Sequence, residues 1–268
     1  AGEKEGAHRG FIFQDSDLAK WLEAVGYRLS THPDPQLEKT ADEAIALLAR
    51  AQETDGYLNS YYTIMQPSKR WTNLRDDHEL YCAGHFIEAA VAYYEGTGKR
   101  NLLDIVCRFV DLIDSTLGPE PENLKGYPGH QEIELALIRL YSITKEEKHL
   151  NLAKFFIDQR GQEPHYFKHE AQKRGQTGPS WYTWENEYNQ SHLPVREQDT
   201  AVGHSVRAMY MYSAMVDLAK ETNDAELLET SKKLWHNVVT KRMYITGGLG
   251  SQEFGEGFSS DYDLPSDT

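Results

Sequence analysis

The sequence predicts an all-α fold: an α/α toroid, an incomplete (α/α)6 barrel of which about four helix pairs are present. Three observations predict it. Apolar residues recur at helical spacing up to residue 243, with no convincing alternating strand pattern. Three helical stretches open in the same way, on Gly84-His85, Gly129-His130 and Gly203-His204, spaced 45 and 74 residues apart. Each then reaches a short turn carrying a threonine (Thr97, Thr144, Thr222) and a partner helix. Self-similar helical hairpins at such a period indicate a solenoid or a closed ring of helix pairs.

Taken in order, Ser16 or Asp17 can cap a first helix to about residue 30, with Leu18, Trp21, Leu22, Val25 and Leu29 on one face. Asp34-Pro35 is a cap followed by proline at the first helical position, opening a second helix to about 52. A loop over 54–77 follows. The third helix spans 79–95 and stops at Gly96 and Gly98; the fourth spans 101–117 and ends at Gly118-Pro119. The fifth starts near His130 and reaches 143, and the sixth covers 147–159. Residues 162–199 read as a long insertion without clear periodicity, holding the aromatic cluster 181–188, and Trp181 or Trp184 is expected to border an outer binding subsite. The seventh and eighth helices cover 200–221 and 225–241. Eight helices make four pairs, and a closed six-pair ring needs four more. With a turn-like Leu-Pro-Ser-Asp at 264–267, residues 1–268 read as a partial barrel truncated at its C-terminal end.

A net charge of −14 argues against nucleic acid or an anionic membrane as partner. No apolar run approaches the length of a membrane span, and no signal peptide is visible at the polar N-terminus. Two cysteines, Cys82 and Cys107, lie inside apolar helical patterns and read as free thiols in a reducing compartment, which points to the cytoplasm. The 16 tyrosines and five tryptophans suit a carbohydrate-facing surface, and packing between helices accounts for most of them equally well.

In an α/α toroid the inner-helix starts converge on one end of the ring, so the Gly-His repeat places His85, His130 and His204 around one cavity. Gln14, just before the first inner helix, falls at the corresponding level. The last stretch, 246–267, carries five glycines in its first twelve residues, and Glu256 sits between Gly255 and Gly257. A carboxylate on such a loop is a way to present a general acid or base. An ordinary solvated loop has the same composition. Several motifs fail. His78-Glu79 would need a histidine at position 82 to bind zinc as His-Glu-x-x-His, and that position is Cys82. His165 and His169 have metal-ligand spacing without a clear third ligand.

Six ordered motifs resemble one family: 10–24, 55–62, His78-Glu-Leu-Tyr-Cys-Ala-Gly-His85, Tyr127-Pro-Gly-His-Gln-Glu-Ile-Glu134, Asp199-Thr-Ala-Val-Gly-His204 and 246–267. They are similar to glycoside hydrolase family 127, the β-L-arabinofuranosidases. The resemblance implies a retaining glycosidase on a six-pair toroid with β-sandwich domains downstream. Its substrates would be terminal β-L-arabinofuranosyl residues of plant arabino-oligosaccharides. It implies Glu256 as general acid/base and Gln14, His85, His130 and His204 as sugar-binding residues. It also implies a cysteine nucleophile held on zinc, with ligands downstream of this sequence and no metal ligand within it. The 268-residue segment alone is therefore expected to be inactive. Two other classes fit the residues: a sugar epimerase or lyase using the cavity histidines, and a non-catalytic glycan-binding toroid. A homo-oligomer is compatible with either.

Overall fold

The computed structural model describes residues 7–176 and 186–266. Trp181 and Trp184 lie outside the described residues. Among these residues ten α-helices follow one another: α1 (Asp15–Thr31), α2 (Pro35–Ala51), α3 (Ser60–Met65), α4 (Glu79–Thr97), α5 (Asn101–Thr116), α6 (Ile133–Thr144), α7 (Glu147–Gln159), α8 (Tyr166–Lys173), α9 (Ser205–Thr222) and α10 (Ala225–Asn237). Among the described residues no β-strand forms, only two isolated bridges, one of which joins His204 to Gly257.

Four helix pairs are recognisable by their contacts: α1 with α2, α4 with α5, α6 with α7, and α9 with α10. The first members touch in sequence, α1 to α4 to α6 to α9, which makes them the inner row. Burial agrees. Helix α4 is buried on nearly every face from Glu79 to Tyr93, as a helix packed on all sides must be. Helix α2 buries only Ala41, Ile45 and Leu48, a single stripe. Its N-cap is as predicted: the Asp34 carboxylate accepts hydrogen bonds from the Gln36 and Leu37 amides, 3.1 and 3.0 Å away.

The differences from expectation lie at helix starts and in the loops. Helix α1 begins at Asp15, and neither Ser16 nor Asp17 caps it. Its buried face is centred on Ala19, Leu22, Val25, Gly26 and Leu29, and Leu18 and Trp21 are exposed. Helix α6 begins at Ile133 and α9 at Ser205, each later than predicted. Before α6, backbone polar groups are drawn into tertiary bonds instead: Arg160 takes the Pro128 carbonyl, Arg207 takes that of Gly129, and the Gly129 amide donates to Leu74. The two loops each hold a short helix. In α3, Asn59 caps the Tyr62 amide, and Asp15 accepts from the amide and hydroxyl of Ser60. In α8, Phe167 packs on Tyr127 at 4.6 Å and buried Glu170 accepts from the Leu74 amide at 2.6 Å. Helices this short are stabilised by tertiary contacts and show little periodicity.

One buried histidine lies between α6 and α7. His149 has no exposed surface and its Nδ1 is 2.9 Å from the Thr144 hydroxyl. Burial pushes its pKa down to about 4. A histidine depressed in the folded state stabilises the fold above its unfolded pKa near 6.5, and that contribution is lost as pH falls towards 4. Between those values each such group adds a slope of up to about 1.4 kcal/mol per pH unit. His149→Gln is therefore expected to flatten the acid limb of a stability–pH curve, read from thermal unfolding of the intact protein at several pH values. An unchanged acid limb would contradict this.

Candidate active site

The N-terminal ends of the inner helices bring four histidines and two tyrosines together. His78, Tyr81 and His85 rise along one face of α4 and its start, at i, i+3 and i+7. Their rings lie 5.4 Å (His78 to Tyr81) and 4.5 Å (Tyr81 to His85) apart. The His130 ring is 4.5 Å from Tyr81, 5.6 Å from His78 and 5.4 Å from His204. Tyr210, one turn into α9, faces both His85 and His130 at 6.1 Å. His204 in turn meets Glu256, with Nε2 and Oε2 2.9 Å apart. The result is one continuous run: Glu256, His204, His130, Tyr81, His85.

The three Gly-His pairs do not hold equivalent places on their helices. His85 lies well inside α4, His130 precedes α6, and His204 is the N-cap of α9. Gly203 shows why glycine precedes the last of them. It takes a left-handed φ of +70°, and a Cβ there would stand 1.9 Å from the Glu187 carbonyl oxygen. That turn swings His204 into position to cap its own helix.

Glu256 is delivered by a loop docked on the same helix start. The Phe258 amide donates to the Gly203 carbonyl, and the Ser205 amide and hydroxyl both donate to the Glu256 carbonyl, each at 2.9 Å. Buried Phe258 anchors the loop on one side, and Asp261 pairs with Lys241 and Arg242 on the other. Glu256 itself has a φ of +49°, unusual for a residue with a side chain and a feature of functional turns. Its side chain is 78% exposed.

The imidazoles are held neutral. Burial, reinforced by the nearby Arg207 guanidinium, pushes His78 down to about 4 and lowers His130 and His204. Burial and the charge of Lys20 push His85 to about 3. Their tautomers follow from their partners. His78 and His130 donate from Nδ1 to the carbonyls of Asp76 (2.7 Å) and Gln131 (2.8 Å), so Nε2 is an acceptor in each. His204 is reversed: Nδ1 accepts from the Arg207 amide at 3.3 Å, so Nε2–H donates to the Glu256 carboxylate. Uncharged donors and acceptors gathered in one cluster can recognise hydroxyl groups. Imidazoles depressed this far are poor proton shuttles at neutral pH.

Of the residues singled out from the sequence, His85, His130, His204 and Glu256 meet. Gln14 is exposed; its amide donates to Asp17 at 2.9 Å and its oxygen accepts from the Phe11 amide. Its neighbour Phe13 reaches the cluster, 5.1 Å from the His78 ring. His78 heads one of the family-like motifs as well as the failed zinc motif, and its spacing to Tyr81 and His85 is the signal that places it on their face. Tyr210, Arg207 and Glu132 carried none. Behind the site, Asn189, Gln190 and Ser191, part of the supposed insertion, are fully buried. Gln190 donates to the Val202 and His204 carbonyls and accepts from Gln131, tying the His130 and His204 segments together.

The thiols stand apart. Cys82 is buried, its thiol pushed well up by burial, and it donates weakly to the Phe13 carbonyl; burial raises Cys107 to about 11. Neither is an activated nucleophile. His165 turns inward onto the Ser191 carbonyl at 3.0 Å while His169 is exposed, so the two do not form a pair. Among the described residues no three His, Cys, Asp or Glu side chains are arranged to hold a metal ion.

Residues 1–268 match the family described as Beta-L-arabinofuranosidase, GH127 catalytic domain. A non-reducing end beta-L-arabinofuranosidase of Bifidobacterium longum subsp. longum is 41% identical, covering 100% of this chain and 42% of that protein. The crystal structure of Ara127N-Se, a GH127 β-L-arabinofuranosidase from Geobacillus stearothermophilus T6, superposes with a TM-score of 0.97 at 58% identity, covering 98% of this chain and 41% of that one. A GH127 β-arabinofuranosidase, BT3674, gives a TM-score of 0.86 at 40% identity, with 98% and 40% coverage. The chain thus spans about two fifths of the length of the relatives it matches.

Proposed function

The chain belongs to glycoside hydrolase family 127, and from that membership we propose that the intact protein is a retaining hydrolase of terminal β-L-arabinofuranosides in plant arabino-oligosaccharides, with Glu256 as general acid/base. The observation that carries this reading is the 2.9 Å contact between His204 Nε2 and Glu256 Oε2, at the mouth of a cluster of neutral imidazoles. Cleavage requires a proton on the departing oxygen and a nucleophile on the anomeric carbon. Glu256 gives the proton; the resulting carboxylate accepts the His204 N–H and later takes a proton from the incoming water. His85 and His130, with Gln14 at the rim, hold the sugar hydroxyls.

The nucleophile lies outside the residues described. The family's zinc does not fit this chain's own described residues, and the steps above are those its side chains can perform. We also propose that the four helix pairs are part of a six-pair barrel. A groove beside α9 supports this: it holds about 360 Å³ and is lined mainly by the apolar Leu135, Val206, Met209, Tyr210 and Leu249, with Ser205 and Ser213. Among the described residues no helix is long and apolar enough to cross a membrane, and cytoplasmic action on small oligosaccharides is the setting proposed.

The test is product analysis. Incubating the intact protein with an aryl β-L-arabinofuranoside is expected to release arabinose; an isomerised or eliminated sugar would favour the epimerase or lyase alternative. A variant isolates the His204 contact. In His204→Asn the new side chain can still cap α9 but cannot reach Glu256. The variant is expected to unfold within about 1 kcal/mol of the parent while its kcat/KM on an alkyl β-L-arabinofuranoside, whose leaving group needs the proton, falls by roughly a hundredfold through misplacement of the acid. Parallel losses of stability and activity would make His204 a purely structural cap.

A further inference from the structure

The stretch His130-Gln131-Glu132-Ile133-Glu134 buries two carboxyl groups, and only one has a cation. Glu134 is met by Arg160 at 3.0 Å. Glu132 is 1% exposed, accepts no hydrogen bond at Oε2 and lies among other acids, chiefly Glu88 and Glu134. Burying an uncompensated carboxyl is costly, and a buried polar group without a partner calls for a functional explanation.

Its surroundings supply one. Oε1 of Glu132 is 3.5 Å from Nδ1 of His85, itself 4% exposed, and neither ring nitrogen of His85 has a hydrogen-bond partner. The fold makes room for this encounter. A Cβ on Gly84 would stand 1.5 Å from Glu132 Oε2, so only glycine at 84 lets the carboxyl lie against α4 at this level. The same imidazole packs edge-on against Tyr81 at 4.5 Å and faces Tyr210, both members of the cluster that meets Glu256 through His130 and His204. Glu132 is therefore one side chain removed from the run of rings that leads to Glu256.

We propose that Glu132 is a positioning residue for His85: its carboxyl hydrogen-bonds Nδ1 and so fixes the ring with Nε2–H as a donor to a sugar oxygen. A carboxyl kept neutral by burial among other acids can donate its O–H to Nδ1, which assigns the ring proton to Nε2. At 3.5 Å the two groups are within a small side-chain adjustment of hydrogen-bond distance. His85 then differs from His78 and His130, which offer Nε2 as acceptors, and the cavity presents both hydrogen-bonding senses to a polyhydroxylated ligand.

The kinetic consequence rests on the hydrolase reading above; the tautomer does not. Two variants of the intact protein separate the roles. Glu132→Leu removes the bond but also removes a buried acid, so its thermal midpoint is expected to hold or rise. Its KM for an aryl β-L-arabinofuranoside is expected to rise at least about tenfold while kcat falls by less than about threefold, the pattern of lost ground-state binding. Glu132→Gln keeps a donor of the same shape and is expected to bring KM back to within about threefold of the parent. In 15N-histidine-labelled protein, the His85 ring nitrogens are expected to report the Nε2–H tautomer in the parent and in Glu132→Gln, and a tautomer mixture in Glu132→Leu. The assignment is overturned if Glu132→Leu unfolds early with KM unmoved, or if the ring nitrogens of His85 are the same in all three proteins. A parent that hydrolyses no arabinofuranoside yet shows the tautomer change would instead remove the hydrolase reading and leave the positioning intact.

Discussion

Glu256→Gln in the intact protein is expected to lower kcat/KM for arabinofuranosides with poor, alkoxide-like leaving groups by roughly a hundredfold to ten-thousandfold. For an activated aryl leaving group, which departs without help from a proton, the expected loss in kcat/KM is under about tenfold. The asymmetry is what identifies an acid. Glutamine has nearly the shape of glutamate and can still meet His204 Nε2–H with its amide oxygen, so the loop geometry is retained. Only the proton is lost. Rates measured on a series of aryl and alkyl glycosides check this. Equal losses across the series would place Glu256 in a structural role, holding the 243–266 loop on α9.

The largest expected loss of stability follows from Arg160→Ala. Arg160 is fully buried and central: it donates to the Asn189 and Pro128 carbonyls at 2.8 and 2.7 Å, pairs with Glu134 at 3.0 Å and lies over the Tyr127 ring. It thereby holds the stretch carrying His130 against the 186–198 segment that backs the site. Truncation leaves a buried Glu134 without its cation and the Pro128 carbonyl without this donor, while the Asn189 carbonyl keeps its bond from Gln131, and removing one partner of a buried pair costs about 3–5 kcal/mol. In a chain of this size that lowers the unfolding midpoint by roughly 10 °C. A double variant, Arg160→Met with Glu134→Leu, is expected to recover much of the loss, because no charge is left stranded. A double variant as unstable as the single one would show that the carbonyl contacts, not the ion pair, dominate.

The four helix pairs were legible in the sequence because each inner helix is apolar over several turns and each outer one carries a single stripe. The Asp34 cap and the glycine stops had local chemistry that needs no tertiary context. The Gly-His repeat pointed to the right residues for an incomplete reason. Its three histidines were expected at equivalent helix starts, yet they sit inside α4, before α6 and at the cap of α9. The helices are staggered, and the stagger brings unequal positions to one place. Glycine also serves different ends in the pairs: at 84 it makes room for Glu132, and at 203 it makes a left-handed turn. What stayed hidden depends on long-range partners. Helices α3 and α8 are fastened by Asp15 and Glu170, residues or contacts dozens of positions away. In the sequence Glu132 is one acid among 42 Asp and Glu, and only the fold sets it beside His85.

Azide rescue of Glu256→Ala tests the central assignment most directly. A retaining enzyme without its acid/base stalls at the glycosyl intermediate, because water there needs a base to lose its proton. Azide needs none. With an activated aryl β-L-arabinofuranoside, azide is expected to raise the turnover of Glu256→Ala and to yield the L-arabinofuranosyl azide with the anomeric configuration of the substrate. No acceleration by azide, or an azide product of inverted configuration, would contradict the assignment of Glu256 as the general acid/base.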